Sequence, residues 1–225
     1  DVSSIEVLKG PGSAVYGRGE GGGSVNVVTR TPGDTLSFDG LASYGRFDTM
    51  ALSGVLGGPI TGDVRAQVIG NYERSDGYRG LSRRFVEVMP MVTAQLGDHE
   101  LTARYDHREQ RFTVDNYGIP FTIGRELADV DPAARFYSPF NTTDQTINRF
   151  SLVDRFEARH DLTLRAAFVY DTRDIYFARN AGGNPINAAN VMTGRNGRTQ
   201  TDAADYVTGQ FEAVWTPETG ALKHT

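Results

Sequence analysis

Repeated period-two alternation of apolar and polar residues beyond residue 34 is the feature that most constrains the fold. The run at residues 63–74 puts two sets on opposite faces of a strand: Val64, Ala66, Val68, Gly70 and Tyr72 against Arg65, Gln67, Asn71 and Glu73. Such alternation is the signal of a β-strand with two unlike faces. It predicts strands at about residues 35–45, 49–57, 63–74, 84–96, 99–110, 147–158, 161–177 and 201–215.

Strand length and loop length together indicate the kind of sheet. Several runs exceed the usual five or six residues and suit a tilted crossing of a bilayer, which takes about nine to eleven. Short connections follow the second, fourth, sixth and eighth runs; longer ones follow the third, fifth and seventh, with 111–146 the longest. Aromatic residues near strand ends fit an interfacial girdle: Tyr44, Tyr72, Phe156 and Trp215. These features favour an outer-membrane barrel, while a soluble β-sandwich remains the alternative.

Composition excludes several classes of function. The 225 residues carry a net charge of −5, with both signs scattered, so no basic tract indicates a nucleic-acid partner. Without cysteine there are no disulfides or thiolate metal sites. The four histidines (His99, His107, His160 and His224) form no recognisable metal cluster. The chain starts without Met and stops on the approach to another strand, so we expect an internal fragment of a longer protein.

A second feature is the stretch at residues 5–29, IEVLKGPGSAVYGRGEGGGSVNVVT. Gly10-Pro11 should end its first strand, because Pro11 fixes its own φ and Gly10 can adopt backbone conformations closed to other residues. Residues 13–16 can form about one helical turn, and a glycine-rich loop at 17–23 leads into a second strand.

The glycine loop does not have the context of a nucleotide site. Gly17, Gly19 and Gly22 match the spacing G-x-G-x-x-G. A dinucleotide fingerprint needs a helix directly after the glycines, whereas a β-rich run follows here. A phosphate-binding P-loop would end in Gly-Lys-Ser/Thr, and this loop ends in Gly-Gly-Ser.

The whole stretch resembles the plug-to-barrel junction of TonB-dependent outer-membrane siderophore receptors. The matching positions are Lys9, Gly10, Pro11, Tyr16, Gly17, Gly22, Gly23 and Asn26. Lys9 stands where the family more often has arginine, and Gly21 where many members have proline. Further similarity lies in Asp115-Asn116-Tyr117-Gly118-Ile119-Pro120, in Phe136-Tyr137, in Asn141-Thr142 and in the RHDLTLR run at 159–165.

The resemblance implies a fold and a domain division. The fold class is all-β dominated: a partial transmembrane antiparallel β-barrel, about eight of about 22 strands, preceded by the C-terminal part of a mixed α+β plug domain. Residues 1–33 would belong to the plug and residues 34–225 to the barrel.

The resemblance also implies a function, namely TonB-dependent uptake of ferric siderophores across the bacterial outer membrane. The partners would be a ferric siderophore, outer-membrane lipid and the TonB–ExbB–ExbD complex, which acts through a TonB box outside this chain. We expect a monomer, no enzyme activity, no catalytic residues and no cofactor, with iron present only inside the siderophore. Alternatives are a receptor for a vitamin, haem or oligosaccharide, a non-transporting barrel or adhesin, and a soluble carbohydrate-binding β-sandwich.

The long loop supplies the candidate ligand contacts. Tyr117 is the first candidate, because tyrosine offers a flat apolar ring and a hydroxyl donor; its alternative role is loop packing. Arg111, Phe136 and Tyr137 are further candidates in the same segment, and Arg18 in the glycine loop is another, with pairing to the barrel wall as its alternative. A wall that holds a plug needs inward charges, and we assign that role to Arg65, Glu73, Arg104, Asp106, Arg155 and Glu157.

Overall fold

The structure is a computed structural model that describes residues 2–10, 22–219 and 222–223. Its main element is one eight-stranded antiparallel sheet in which each strand pairs with its neighbours in the chain. The strands of this sheet are β3 Ser37–Gly45, β4 Thr49–Pro59, β5 Val64–Ser75, β6 Arg83–Leu96, β7 His99–Phe112, β8 Thr142–Arg159, β9 Leu162–Ala181 and β10 Asn196–Trp215.

Two small hairpins flank the sheet. Before it, β1 Val2–Lys9 pairs with β2 Gly23–Thr29. After it, β11 Glu218–Thr219 pairs with β12 Leu222–Lys223. Among the described residues the one helical segment is a 3-10 turn at Tyr78–Gly80, and no described helix is long and apolar enough to span a membrane.

The predicted fold class is confirmed, and every strand predicted beyond residue 34 is present. The last three strands are longer than predicted, because β8 begins at Thr142, β9 ends at Ala181 and β10 begins at Asn196. Their added ends carry polar residues on both faces, so alternation gave no signal there, and only the ladder hydrogen bonds mark them as strand. The domain division at residue 33 stays a prediction.

One face of the sheet, the apolar face, carries a continuous row of large side chains in cross-strand register. The row runs through Leu56, Val68, Tyr105, Phe150, Tyr170 and Val207. Each of these residues is at least 40% exposed. A soluble sandwich would cover such a face with a second sheet, and among the described residues none packs on it.

The opposite face, the polar face, is where the sheet buries side chains. Ile69 and Met89 pack there with Val55, and Gln67, Glu87, Thr93 and Asp106 are buried beside them. Four ion pairs join neighbouring strands across this face: Arg108–Glu87, Arg149–Asp171, Arg165–Glu212 and Arg173–Asp202. A fifth, Arg65–Glu100, joins β5 to β7 across β6. All six predicted inward charges lie on the polar face.

The apolar stretch shifts from strand to strand, which gives the strand tilt. Phe38 and Val207 lie in the same row of cross-strand partners. In β3, Phe38 is the residue of the apolar stretch that lies nearest the short turns. In β10, Val207 is the residue of the apolar stretch that lies nearest the long loops. The shift is roughly one residue per strand. With a rise of about 3.3 Å and a strand spacing of about 4.8 Å, the tilt is about 35°. Membrane barrels tilt by about 35–45°.

Candidate functional site

Three connections at the same end of the sheet, residues 76–82, 113–141 and 182–195, pack into one unit that we call the outer rim. They join β5 to β6, β7 to β8 and β9 to β10. Because the strands pair in chain order, all three leave the sheet at the end opposite the short turns at 60–63, 97–98 and 160–161.

Arg79 lies at the centre of the outer rim. Its Nη2 is 2.6 Å from the Asp115 Oδ2 atom, and the two side chains are only 9% and 7% exposed. The guanidinium also donates to the carbonyl oxygens of Ala134 at 3.0 Å and Gly118 at 3.1 Å. One side chain from the shortest rim loop thus fixes two parts of the longest one.

The Asp115 carboxylate has a second task inside the long loop. Its Oδ1 accepts the backbone N–H groups of Tyr117 and Gly118, both at 3.0 Å. Carboxylates after a strand often close a turn in this way. Arg79 therefore pairs with a group that is already held in place by its own loop.

Two buried asparagines fasten the ends of the long loop to β9. Asn141 donates to the carbonyl of Val114 at 2.9 Å and accepts from the backbone N–H of Asn180 at 3.1 Å. The side-chain oxygen of Asn180 accepts from the backbone N–H of Ser138 at 2.7 Å. The backbone carbonyl of Asn180 accepts from the side-chain amide of Asn116 at 2.7 Å. Each amide satisfies backbone groups that burial would otherwise leave unpaired.

The outer rim has an apolar core of its own, separate from the sheet. Ala128, Phe136 and Ile186 are its buried members. Partly buried side chains pack around them: Tyr117, Ile119, Val130, Ala134 and Met192. Because this core draws on two loops, neither loop can bury its apolar residues alone.

The structure gives three predicted ligand residues a packing role. Tyr117 is half-buried against the rim core, and its hydroxyl donates to the carbonyl of Gly182 at 2.6 Å. Phe136 is a buried core residue. The hydroxyl of Tyr137 donates to the carbonyl of Arg79 at 2.5 Å. Contact of these residues with a ligand stays a prediction.

Arg111 lies in strand β7 and not in the loop where we expected it. By register its side chain is on the apolar face, where its guanidinium pairs with Asp144 at 2.5 Å. Arg18 lies outside the described residues, as do Pro11, Tyr16 and Gly17 of the plug motif. The most exposed apolar side chains of the rim are instead Phe121, Ile123 and Leu127, at the tip of the long loop.

The sequence indicated no role for Arg79 or Asn180, and it indicated Asp115 and Asn141 only as points of resemblance to siderophore receptors. A local signal existed for Arg79 and Asp115. Gly77 and Gly80, both with positive φ, flank Arg79, and Asp115 precedes Gly118 at a spacing that suits a side-chain-closed turn. Nothing local pairs residue 79 with residue 115.

The plug-motif residues that the structure describes lie in the β1–β2 hairpin. Gly10 N–H donates to the Gly22 carbonyl at 3.3 Å, and Asn26 donates to Glu6 at 2.9 Å. Gly23 has φ +137°, and a Cβ there would lie 2.5 Å from the Leu8 carbonyl oxygen. Glycine is therefore required at this position, whereas Lys9 is exposed.

The polar face meets the end of this hairpin. Arg104 Nη1 donates to Thr29 Oγ1 at 2.9 Å, and Gln67 Nε2 donates to the Arg30 carbonyl at 3.2 Å. The described part of the chain contains no group of acidic and histidine side chains that could hold a metal ion.

Comparison with known proteins gives partial matches. No protein-family model matches the chain. The catecholate siderophore receptor Fiu of Escherichia coli K12 is 33% identical over 129 residues, 55% of this chain and 16% of that protein. The ferric enterobactin receptor of Pseudomonas aeruginosa PAO1 is 34% identical over 82 residues, 33% and 11% respectively. The vitamin B12 transporter BtuB of Vibrio vulnificus is 31% identical over 78 residues, 35% and 13% respectively. The matched segments thus cover only about a sixth or less of these relatives.

Solved structures share the fold over nearly the whole chain. The open form of Fiu from E. coli K12 matches with a TM-score of 0.85 at 20% identity, covering 98% of this chain and 37% of that one. P. aeruginosa FpvA bound to heterologous pyoverdines matches with a TM-score of 0.85 at 15% identity, covering 97% and 30% respectively. The predicted resemblance to siderophore receptors is confirmed, and the eight-stranded sheet has the fold of part of their barrel wall.

Proposed function

We propose that this chain is part of a TonB-dependent receptor that takes up ferric siderophores across the bacterial outer membrane. The observation that carries the proposal is the 33% identity over 129 residues with a catecholate siderophore receptor. The outer rim would take part in capturing the ligand. The complete plug would then move under force from the TonB–ExbB–ExbD complex, applied through a TonB box.

Two features of the wall support a place in the outer membrane. The apolar face carries an exposed row of large apolar side chains, as a lipid-facing surface requires. The four aromatic residues predicted for an interfacial girdle all fall on this face by register: Tyr44 and Tyr72 toward the long loops, Phe156 and Trp215 toward the short turns. The long loops would then be extracellular.

Uptake needs no bond to be made or broken by the protein. We therefore propose no enzyme activity, no catalytic residue and no resident cofactor, with iron arriving already coordinated by its siderophore. The complete barrel would close on itself, so that no sheet edge remains open for pairing with another chain. This supports a monomer in the membrane.

Uptake of radioactive iron tests the proposal. A strain that lacks the gene is compared with the same strain carrying the complete gene, under iron limitation and with a panel of ferric siderophores. We expect uptake of at least one ferric siderophore only when the gene is present, and its loss when TonB is deleted. Equal uptake of every siderophore with and without the gene would refute the proposal.

A vitamin is the second candidate ligand, because one relative is a vitamin B12 transporter. The same pair of strains, given labelled cobalamin, separates the two ligand classes. Gene-dependent uptake of cobalamin without uptake of any ferric siderophore would favour the vitamin.

A further inference from the structure

Residues 29–34, the junction segment, lead from the plug hairpin to the first strand of the sheet. Three side chains of the polar face hold this segment. Arg104 donates to the Thr29 hydroxyl at 2.9 Å, and Gln67 donates to the Arg30 carbonyl at 3.2 Å. Farther along, Arg65 donates to the Asp34 carboxylate at 3.0 Å.

The sheet places Gln67 and Arg104 in the same row of its polar face. Gln67 and Arg104 are both partners of Met91 in the strand ladder, so they stand in one row on β5 and β7. Gln67 is only 7% exposed, which leaves its amide few alternative positions. The wall therefore presents two prepositioned donors to consecutive residues of the junction segment.

Arg104 is also held by its own strand and its neighbour. Its Nη2 lies 3.1 Å from Met89 Sδ and 3.5 Å from the buried Asp106 Oδ2. With one nitrogen directed at the wall and the other at Thr29, the planar guanidinium has a fixed orientation. A free surface arginine would not constrain the chain in this way.

The position of these contacts decides how far the plug end can move. Without them, the residues between Thr29 and Ser37 could extend by about 3.3–3.6 Å each, a reach of roughly 25 Å. With them, the free length between hairpin and wall is close to zero. The contacts thus convert a flexible tether into a fixed point.

We propose that Arg104 and Gln67 clamp the end of the plug to the wall, so that Thr29 and Arg30 form the fixed point about which the plug moves. Arg104 is a positioning residue in this scheme. The inference rests on the proposed function only in requiring a plug that moves inside a barrel.

Distance measurement between two spin labels tests the clamp in the complete protein. One label replaces Val27 (V27C) on β2, and the other replaces Val207 (V207C) on the apolar face of β10; both side chains are exposed. We expect one narrow distance distribution in the otherwise unaltered protein. Arg104→Gln should broaden it or add a longer distance, because glutamine is shorter and uncharged. Arg104→Lys, which keeps a donor, should stay closer to the parent.

Two further variants keep the test decisive. Thr29→Val removes the acceptor without disturbing the Arg104–Asp106 pair, so it should broaden the distribution even if Arg104→Gln folds poorly. Arg74→Gln is the matched control, because Arg74 lies on the apolar face of β5 and contacts only Asp76 among the ion pairs of the described chain. It should leave the distribution narrow.

The clamp is refuted if Thr29→Val keeps the parental distribution, or if Arg74→Gln broadens it equally. The measurement needs neither ligand nor an energised membrane. A protein that transports no siderophore can therefore still show the clamp, and a siderophore transporter can still lack it.

Discussion

The outer rim and the junction segment are both held by arginines, but in unlike surroundings. In the rim, Arg79 and Asp115 are more than nine-tenths buried and sit beside an apolar core. At the junction, Arg65 pairs with an Asp34 side chain that is 87% exposed. A buried pair is costly to break because it leaves an uncompensated charge, while an exposed pair contributes little.

These unlike surroundings indicate where the chain can change shape. The rim should keep one conformation, because its loops share one core and one buried ion pair. At the junction, the exposed Arg65–Asp34 contact can be exchanged for water without exposing apolar surface. Arg104 and Gln67 can therefore hold Thr29 and Arg30 in place while the Arg65–Asp34 contact opens.

Removal of the rim arginine should have the largest effect. Arg79→Ala would leave Asp115 buried and unpaired, so the rim should lose about 3–5 kcal/mol of local stability. Hydrogen exchange of the amides at 113–141 measures the loss. As the control, Asp144→Asn removes the partner of the exposed Arg111 and should cost less than about 1 kcal/mol. Equal effects of the two variants would contradict the contrast.

The next effect should come from the rim core. Phe136→Ala removes a buried aromatic side chain and should lower local stability by about 3 kcal/mol. The same exchange experiment reports it. Phe140, which is exposed in the same loop, provides the control, and Phe140→Ala should change stability by about 0.5 kcal/mol or less. Without a difference between the two variants, the rim core would not be a stability element.

A smaller effect separates packing from ligand contact at Tyr117. Tyr117→Phe keeps the ring and deletes the hydrogen bond to Gly182, which should cost about 1 kcal/mol of rim stability. Hydrogen exchange and the Kd for a transported ligand are measured on the same variant. A Kd that rises tenfold with unchanged exchange would assign Tyr117 to the ligand, as the sequence predicted. Changed exchange with an unchanged Kd would assign it to packing.

The smallest effect should appear at the short-turn end of the wall. The indole of Trp215 donates to Asp161 at 2.9 Å, and this bond, aided by the charge of Arg159, lowers the pKa of the Asp161 carboxyl. A lowered folded-state pKa adds stability above the unfolded value of about 3.9. That stability is lost as the pH falls through the folded-state pKa.

Trp215→Phe should therefore reduce the dependence of stability on pH. The fall in Tm between about pH 6 and about pH 3 should be smaller than in the parent protein, since the folded-state pKa returns toward the unfolded value. Phe211→Leu, on the same face of β10 but without a polar partner among the described residues, is the control. An unchanged pH dependence in Trp215→Phe would show that the indole does not hold the carboxylate.

Most strands of the wall could be predicted, because the alternation of apolar and polar residues involves only neighbouring positions in the chain. Alternation placed each strand from β3 to β10, and the six inward charges fell on the polar face as expected. The prediction failed at the ends of β8, β9 and β10, where polar residues occupy both faces and only pairing with a neighbour keeps the strand extended. The end of β7 also carries polar residues on both faces, so the sequence predicted a loop at Arg111.

The rim was not predictable, because its contacts join residues far apart in the chain. Phe136 and Tyr117 look like free loop aromatics in the sequence, and only the approach of 182–195 gives them a core and a hydrogen-bond partner. Arg79 carries no signal of its partner Asp115, since the pairing arises from three loops leaving one end of the sheet.

The strands, their two faces and the resemblance to siderophore receptors can be read from the sequence, because period-two alternation and a contiguous motif are properties of neighbouring residues. Tertiary contacts establish which side chains pack the rim, which face Arg111 occupies and which wall residues hold Thr29 and Arg30. Those outcomes depend on the register between strands, which brings Gln67 and Arg104 into one row and Arg79 to Asp115.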